Sequence, residues 1–79
     1  MFKKRIGPDP HASGEMTGAA SGCPDIWELE DGNVAIIGLR KTTLLQRSLP
    51  SSAACGIDEE IVVVPRSLLK AAAKDIEAL

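Results

Sequence analysis

Residues 26–39 read IWELEDGNVAIIGL, and no other part of the chain predicts its own conformation so clearly. Apolar and acidic side chains alternate over residues 26–30, which puts Trp27 and Leu29 on one face of a strand and two glutamates on the wetted face. The Asp31-Gly32 step favours a tight turn because glycine tolerates positive φ. Residues 34–39 are apolar throughout, as expected of a central strand covered on both faces. The stretch therefore predicts a β-hairpin.

The C-terminal half predicts two helices separated by a strand. Thr42 or Thr43 can cap a short helix that ends before Pro50. Residues 61–64 read IVVV, a β-branched run typical of a buried strand. Pro65 suits the first turn of a helix because its missing N–H has no partner there, and residues 66–79 are rich in good helix formers.

These elements predict an α+β fold, a small ββαβα domain. The passage between the second and third strands is long enough for a right-handed crossover, so we expect a three-stranded mixed sheet with helices on one face. The predicted core is an aliphatic layer where Trp27, Ile37 and Val63 meet Leu45 and Ile76.

The predicted domain organisation is a disordered N-terminal tail, residues 1–22, and a single domain, residues 23–79. Residues 6–22 contain four of the seven glycines and two prolines, with small or polar residues between them. Such a stretch buries too little apolar area to offset the entropy lost on ordering. The fold is therefore expected to begin near Cys23.

Composition narrows the functional classes. The net charge is −2, and residues 23–79 hold six basic and nine acidic side chains, which argues against general nucleic-acid binding. Two cysteines do not make a disulfide framework, and the basic start is followed by Gly-Pro-Asp-Pro instead of the apolar run of a signal peptide. No apolar run approaches the roughly 20 residues of a membrane span. A cytoplasmic protein is expected.

The sequence predicts no catalytic residue, no cofactor site and no metal site. His11 lies in the predicted tail, where a general base would not be held near its proton. Cys23 and Cys55 have no histidine placed to activate them, and these three residues fall short of the four compactly spaced ligands of a zinc site. The chain is therefore predicted not to be an enzyme. That prediction depends on the leading residues lying outside the sheet.

One charged pattern is a candidate binding surface. Arg66, Lys70 and Lys74 recur every four residues, so they form a row along one face of the last helix, which we call the cation row. A helix gains nothing from stacking like charges. The row is either a solvated face, partly balanced by Asp75 and Glu77, or a docking surface for an acidic partner.

Several segments carry a resemblance to a known group. CPDIWEL at residues 23–29, DG at 31–32, AIIG at 35–38 and DEEIVVVPR at 58–66 are similar to a pattern in small actinobacterial proteins of unknown function. The similarity covers about residues 23–77. It implies a shared fold, that of a regulatory accessory protein, and brings no activity or site residues.

Three functions are open at this stage. The first is a non-catalytic protein-binding or regulatory accessory module, with Arg66, Lys70 and Lys74 as its partner-binding residues. The second is a nucleic-acid-associated regulator that uses the same three residues and the basic tail, residues 3–5, on phosphates. The third is a structural homo-oligomer that pairs through an exposed edge strand.

Overall fold

The computed structural model describes residues 1–10 and 24–79 of the chain. In these two ranges it contains five short strands and two α-helices, with a 3₁₀ turn (Gln46–Ser48) after the first helix. The elements are β1 (Phe2–Arg5), β2 (Asp25–Leu29), β3 (Val34–Ile37), β4 (Leu39–Arg40), α1 (Thr42–Leu45), β5 (Val62–Val63) and α2 (Arg66–Glu77). The α+β class is thus as predicted.

The predicted hairpin is confirmed, but the prediction of a central second strand covered on both faces is wrong, because β3 ends at Ile37, lies at the edge of its sheet and is largely exposed. Strands β2 and β3 pair antiparallel, with Trp27 opposite Ala35. Gly32 has a φ of +91°, and its N–H donates to the Leu29 carbonyl oxygen at 3.0 Å. The Asp31 carboxylate accepts a 2.9 Å hydrogen bond from the next-but-one N–H in the turn. The turn therefore closes through the left-handed glycine that the sequence supplies.

The third strand of this sheet comes from the N-terminus. β1 pairs antiparallel with β2, and the strand order is β1-β2-β3, so the sheet is antiparallel and the predicted mixed sheet is wrong. The expectation of a tail that stays outside the fold is wrong for residues 2–6, because Ile6 is only 1% exposed and donates its N–H to the Ile26 carbonyl oxygen at 2.9 Å. It is also wrong for residues 7–10, since the Gly7 N–H donates to Asp75 and Pro10 is buried. The remainder of the predicted tail, residues 11–22, lies outside the described residues.

The predicted strand at residues 61–64 does not join that sheet. Its central residues form β5, which pairs antiparallel with β4 in a separate two-stranded sheet. Val62 and Val63 are both exposed, so the run is not a buried strand, and the predicted crossover is wrong because the chain returns antiparallel beside β4. A Cβ on Gly38 would lie 2.8 Å from the Val63 carbonyl oxygen, so β5 can lie this close to residue 38 only because that residue is glycine.

The predicted C-terminal helix is confirmed as α2, which begins directly after Pro65 and ends at Glu77. Helix α1 has only one turn, and neither predicted threonine caps it. Thr42 instead ties α1 to the start of β5: its Oγ1 donates to Glu60 Oε1 at 2.6 Å and accepts from the Ile61 N–H at 2.8 Å. Neither helix in the described part of the chain has the length and apolar character needed to cross a membrane.

The core lies between one face of the sheet and α2. Its buried apolar residues are Ile6, Ile26, Leu68 and Ala72, with Val64 packed against them. The core predicted from the sequence is wrong, since it took the Trp27 face of β2 as the inner face. All five residues of the predicted core are exposed or half-buried: Trp27, Ile37, Leu45, Val63 and Ile76.

Glycine makes the close approach of β1 to α2 possible. Gly7 has a φ of +81°, and a Cβ at this position would lie 2.9 Å from the Cβ of Ala72. The Gly7 N–H donates to Asp75 Oδ2 at 2.8 Å. The end of β1 is therefore fixed on the helix by a hydrogen bond and by a contact that leaves no room for a side chain.

Candidate functional site

The sheet face opposite α2 carries a cluster built around Arg5. Register places Arg5 directly opposite Trp27, and its guanidinium carbon lies 4.4 Å from the centre of the indole. Nε and Nη2 donate to the two carboxylate oxygens of Asp25 at 3.0 and 3.1 Å. Nη1 lies 3.2 Å from Asp9 Oδ2. The guanidinium is thus held by a bidentate ion pair and a cation–π contact together.

The electrostatics of this cluster favour its charged form. The hydrogen bond to Asp25, together with the charges of Asp25 and Asp9, raises the pKa of Arg5 against the opposing effect of burial. Burial alone would raise the pKa of Asp25, but hydrogen bonds from Arg5, the Trp27 side chain and the Ile26 N–H outweigh it and lower the pKa. Both groups therefore stay ionised at neutral pH, and each satisfies the other.

Large apolar side chains surround the cluster on the same face. Phe2 packs edge-on against Trp27, with 5.7 Å between ring centres and a 70° angle between the planes. Phe2 is 60% exposed and Ile37 is 50% exposed. We call this surface the open face, and it consists of Phe2, Arg5, Asp25, Trp27, Leu29, Ala35 and Ile37.

Two shallow depressions flank Phe2 on the open face. One has a volume of about 280 Å³ and is bounded by Phe2, Arg5, Asp25, Trp27 and Ile37. The other, of about 460 Å³, is lined by Met1, Phe2, Leu29, Glu30, Asp31 and Ala35. Both have mainly apolar walls. They can accept apolar side chains of another molecule, which is the way that interface anchors are seated.

The cation row is present on α2. Arg66, Lys70 and Lys74 are all exposed, and none of them forms an ion pair with a described carboxylate. Asp75, which the sequence suggested as a counter-charge, instead accepts the hydrogen bond from Gly7. The row and the open face lie on different sides of the molecule, because α2 packs on the other face of the sheet.

A second basic surface lies around α1. A cavity of about 370 Å³ is lined by three cations and their neighbours: Arg40, Lys41, Thr42, Thr43, Leu44 and Arg47. Glu60 accepts a hydrogen bond from Thr42, one of the lining residues, so a carboxylate lies close to this cavity. The cavity can attract an anion, and this carboxylate weakens the attraction.

The residues weighed for catalysis are not brought together in the described part of the molecule. His11 and Cys23 lie outside the described residues, and the Cys55 thiol is free and half-buried. No group of three or more metal-ligating side chains occurs within residues 1–10 and 24–79. Because Phe2–Arg5 form a strand of the sheet, the N-terminal segment is not wholly outside the fold, and the absence of catalysis stays a prediction.

Sequence reasoning missed the open face because its members come from segments 20 residues apart. The one local signal was FKKRI at residues 2–6, which has apolar side chains at both ends of a basic stretch. No protein-family model, curated protein or solved structure matches the chain. Its function is therefore inferred from the geometry of its own residues.

Proposed function

We propose that the chain is a non-catalytic protein-binding module and that a partner protein binds its open face. This proposal depends on one observation: two exposed apolar side chains, Phe2 and Ile37, lie on the same face of the sheet as the Arg5–Trp27 stack. Aromatic residues and arginine are enriched at protein interfaces and dominate their binding energy. Exposed apolar patches on small proteins mark such surfaces.

The chemistry of the open face defines the kind of partner. Arg5 pairs with both Asp25 and Asp9, so every charge at the centre of the face has a partner, and the apolar side chains around it are the surface open to contact. The depressions on either side of Phe2 suit aliphatic or aromatic side chains. We therefore expect a partner with a flat apolar strip and two protruding apolar residues. A regulatory accessory role, carried out in the cytoplasm, is part of this proposal.

The cation row is the competing surface for an acidic partner. It is supported by three exposed cations without a described carboxylate partner. Exposed charges contribute little to affinity singly, whereas buried aromatic anchors contribute most of it. For this reason we rank the open face first, with Arg66, Lys70 and Lys74 as the alternative partner-binding residues.

The test compares variants of the two surfaces in quantitative affinity capture from the native host. The open-face variant is Phe2→Ser with Ile37→Ser, and the row variant is Lys70→Glu with Lys74→Glu. Circular dichroism establishes that both are folded. We expect the open-face variant to lose the captured partner and the row variant to retain it. The reverse pattern would assign binding to the row, and capture unchanged in both variants would refute both surfaces.

The control for the open-face variant is Ile57→Ser, which removes a fully exposed isoleucine that does not belong to the open face. Any partner that depends on general surface hydrophobicity would be lost in this control as well. A partner lost only with Phe2 and Ile37 is bound by the open face.

A nucleic-acid-associated regulator is the second candidate function. The cation row and the cations around α1 favour it. Against it, Arg5 is already engaged by Asp25 and Asp9, so the basic N-terminal segment offers fewer free charges to phosphate than the sequence suggested. Fluorescence anisotropy with DNA and RNA at low salt tests this candidate, because phosphate contacts produce binding that weakens steeply with salt.

A further inference from the structure

Strand β3 is an edge of the three-stranded sheet, and within residues 1–10 and 24–79 no strand pairs with its outer side. The Leu29 N–H donates to the Asn33 carbonyl oxygen at 2.8 Å, so residues 29 and 33 form a hydrogen-bonded pair of the antiparallel ladder. In an antiparallel ladder, successive residues point their backbone groups to opposite sides, so Ala35 faces β2 while Val34 and Ile36 point outward. Among the described residues, no backbone hydrogen bond outside the β2 ladder reaches these two positions.

The two edges of the sheet differ in protection. β1 carries Lys3 and Lys4 and has an irregular register, both of which discourage pairing with another strand. β3 reads VAII, with no charge and no proline. Val34 and Ile36, the two residues whose backbone groups point away from β2, are exposed. β3 is therefore an unguarded edge whose backbone can accept another strand.

We propose that β3 pairs antiparallel with β3 of a second copy of this chain, giving a two-fold symmetric dimer with one continuous six-stranded sheet. The two outward-pointing residues are placed symmetrically about Ala35. Val34 of one copy then faces Ile36 of the other, and the two pairs exchange about four backbone hydrogen bonds. Ala35 lies on the two-fold axis.

The sequence of β3 favours a second copy as the occupant. A non-hydrogen-bonded antiparallel pair brings its Cα atoms to about 4.5 Å, and the small Ala35 side chain suits that close contact at the axis. The pairing brings no charges together, since the strand has none. Its interface is self-complementary, as a two-fold axis requires. The dimer also joins two open faces edge to edge, and it holds whether or not a partner protein binds there.

Cysteine cross-linking tests the register directly. In a background in which Cys23 and Cys55 are serine, we introduce Ala35→Cys and oxidise the pair with oxidised glutathione, which is reduced as the two thiols form a disulfide. At about 4.5 Å the Cα atoms satisfy disulfide geometry. The control is Ile37→Cys on the same face, whose Cα atoms would lie about 13 Å apart because they are four residues out of register.

The result expected is a disulfide-linked dimer with Ala35→Cys and none with Ile37→Cys on the non-reducing gel. Equal cross-linking of the two variants would refute this register, and so would the absence of any dimer band with Ala35→Cys.

Light scattering on the full chain tests the dimer without cysteines. The wild type is expected at twice its 8.3 kDa chain mass. Val34→Lys should raise the dissociation constant by roughly tenfold or more, because an edge lysine opposes strand addition. Val62→Lys is the matched control, since Val62 has nearly the same exposure, 41% against 43%, but lies in the other sheet.

Ile36→Pro provides a backbone test. It removes an outward N–H and leaves the bonds to β2 intact, as proline is tolerated on an edge strand. We expect this variant to be a folded monomer. A wild type that is monomeric at every concentration, or a dimer that survives Val34→Lys and Ile36→Pro, would overturn the proposal. Loss of the dimer only in Val62→Lys would assign the interface to the two-stranded sheet instead.

Discussion

Replacing Ile6 by alanine tests the least expected feature of the fold, the inclusion of the N-terminal segment in the core. Ile6 is 1% exposed and belongs to the same buried cluster as Ile26, Leu68 and Ala72. Truncation of a fully buried isoleucine to alanine costs about 2–5 kcal/mol, from lost burial and from the cavity that remains. If the segment were outside the fold, as the sequence suggested, the cost would be close to zero.

The size of the chain makes this loss easy to measure. A chain of 79 residues has a free energy of unfolding of about 4–12 kcal/mol. Ile6→Ala is therefore expected to remove a large fraction of the total stability. At about 4–8 °C per kcal/mol for a domain of this size, the midpoint of thermal unfolding should fall by at least about 8 °C.

The assay is urea unfolding followed by Trp27 fluorescence and by far-ultraviolet circular dichroism. Ile57→Ala is the matched control, because Ile57 is fully exposed and the same atoms are removed. Its free energy of unfolding should stay within about 0.5 kcal/mol of the wild type. An Ile6→Ala variant as stable as the Ile57→Ala control would refute the placement of the N-terminal segment.

Two further predictions concern the glycines and the buried carboxylate. Gly7→Ala and Gly32→Ala should each lower the free energy of unfolding by about 1–2 kcal/mol, because both glycines have a positive φ. Only Gly7→Ala also adds a Cβ 2.9 Å from Ala72, so its loss of unfolding free energy in urea should be larger by about 1–3 kcal/mol. Equal losses would contradict the close packing. The folded-state pKa of Asp25 is lowered, so its ionisation contributes stability that is complete above the ordinary pKa of about 3.9 and is lost as pH falls through the lower folded value. Asp25→Asn should therefore be less stable than the wild type at pH 7, with the difference shrinking at acid pH; a difference that is constant with pH would show that the Asp25 charge does not stabilise the fold.

The parts of the fold that depend on neighbours in sequence were predictable. The hairpin follows from the alternation over residues 26–30 and from the Asp31-Gly32 turn, and both act within a few residues. Helix α2 follows from helix-forming composition after Pro65. The cation row followed from the same helical spacing, and its exposure agrees with that spacing.

The parts that depend on distant segments were not predictable. Strand β1 is held by pairing with β2 across about 20 residues, and its own sequence, FKKR, carries little of the alternation that identifies a strand. The strand at residues 62–63 was assigned to the wrong sheet because strand composition does not reveal which neighbour a strand pairs with. The open face was missed for the same reason, since Arg5 meets Trp27 only after β1 has paired.

The choice of inner face on β2 has a steric explanation, and it also determines which residues form the open face. Alternation divides the strand into a Trp27 face and an Ile26 face, and hydrophobicity alone favours the one with the larger ring. The layer beneath α2 is thin, because Ala72 is completely buried and leaves no room for a Cβ on Gly7. Isoleucines at residues 6 and 26 fill this layer, and a larger ring in their place would overpack it. Trp27 therefore lies on the opposite face, where Arg5 and Phe2 cover part of it and the remainder belongs to the surface that we propose binds a partner.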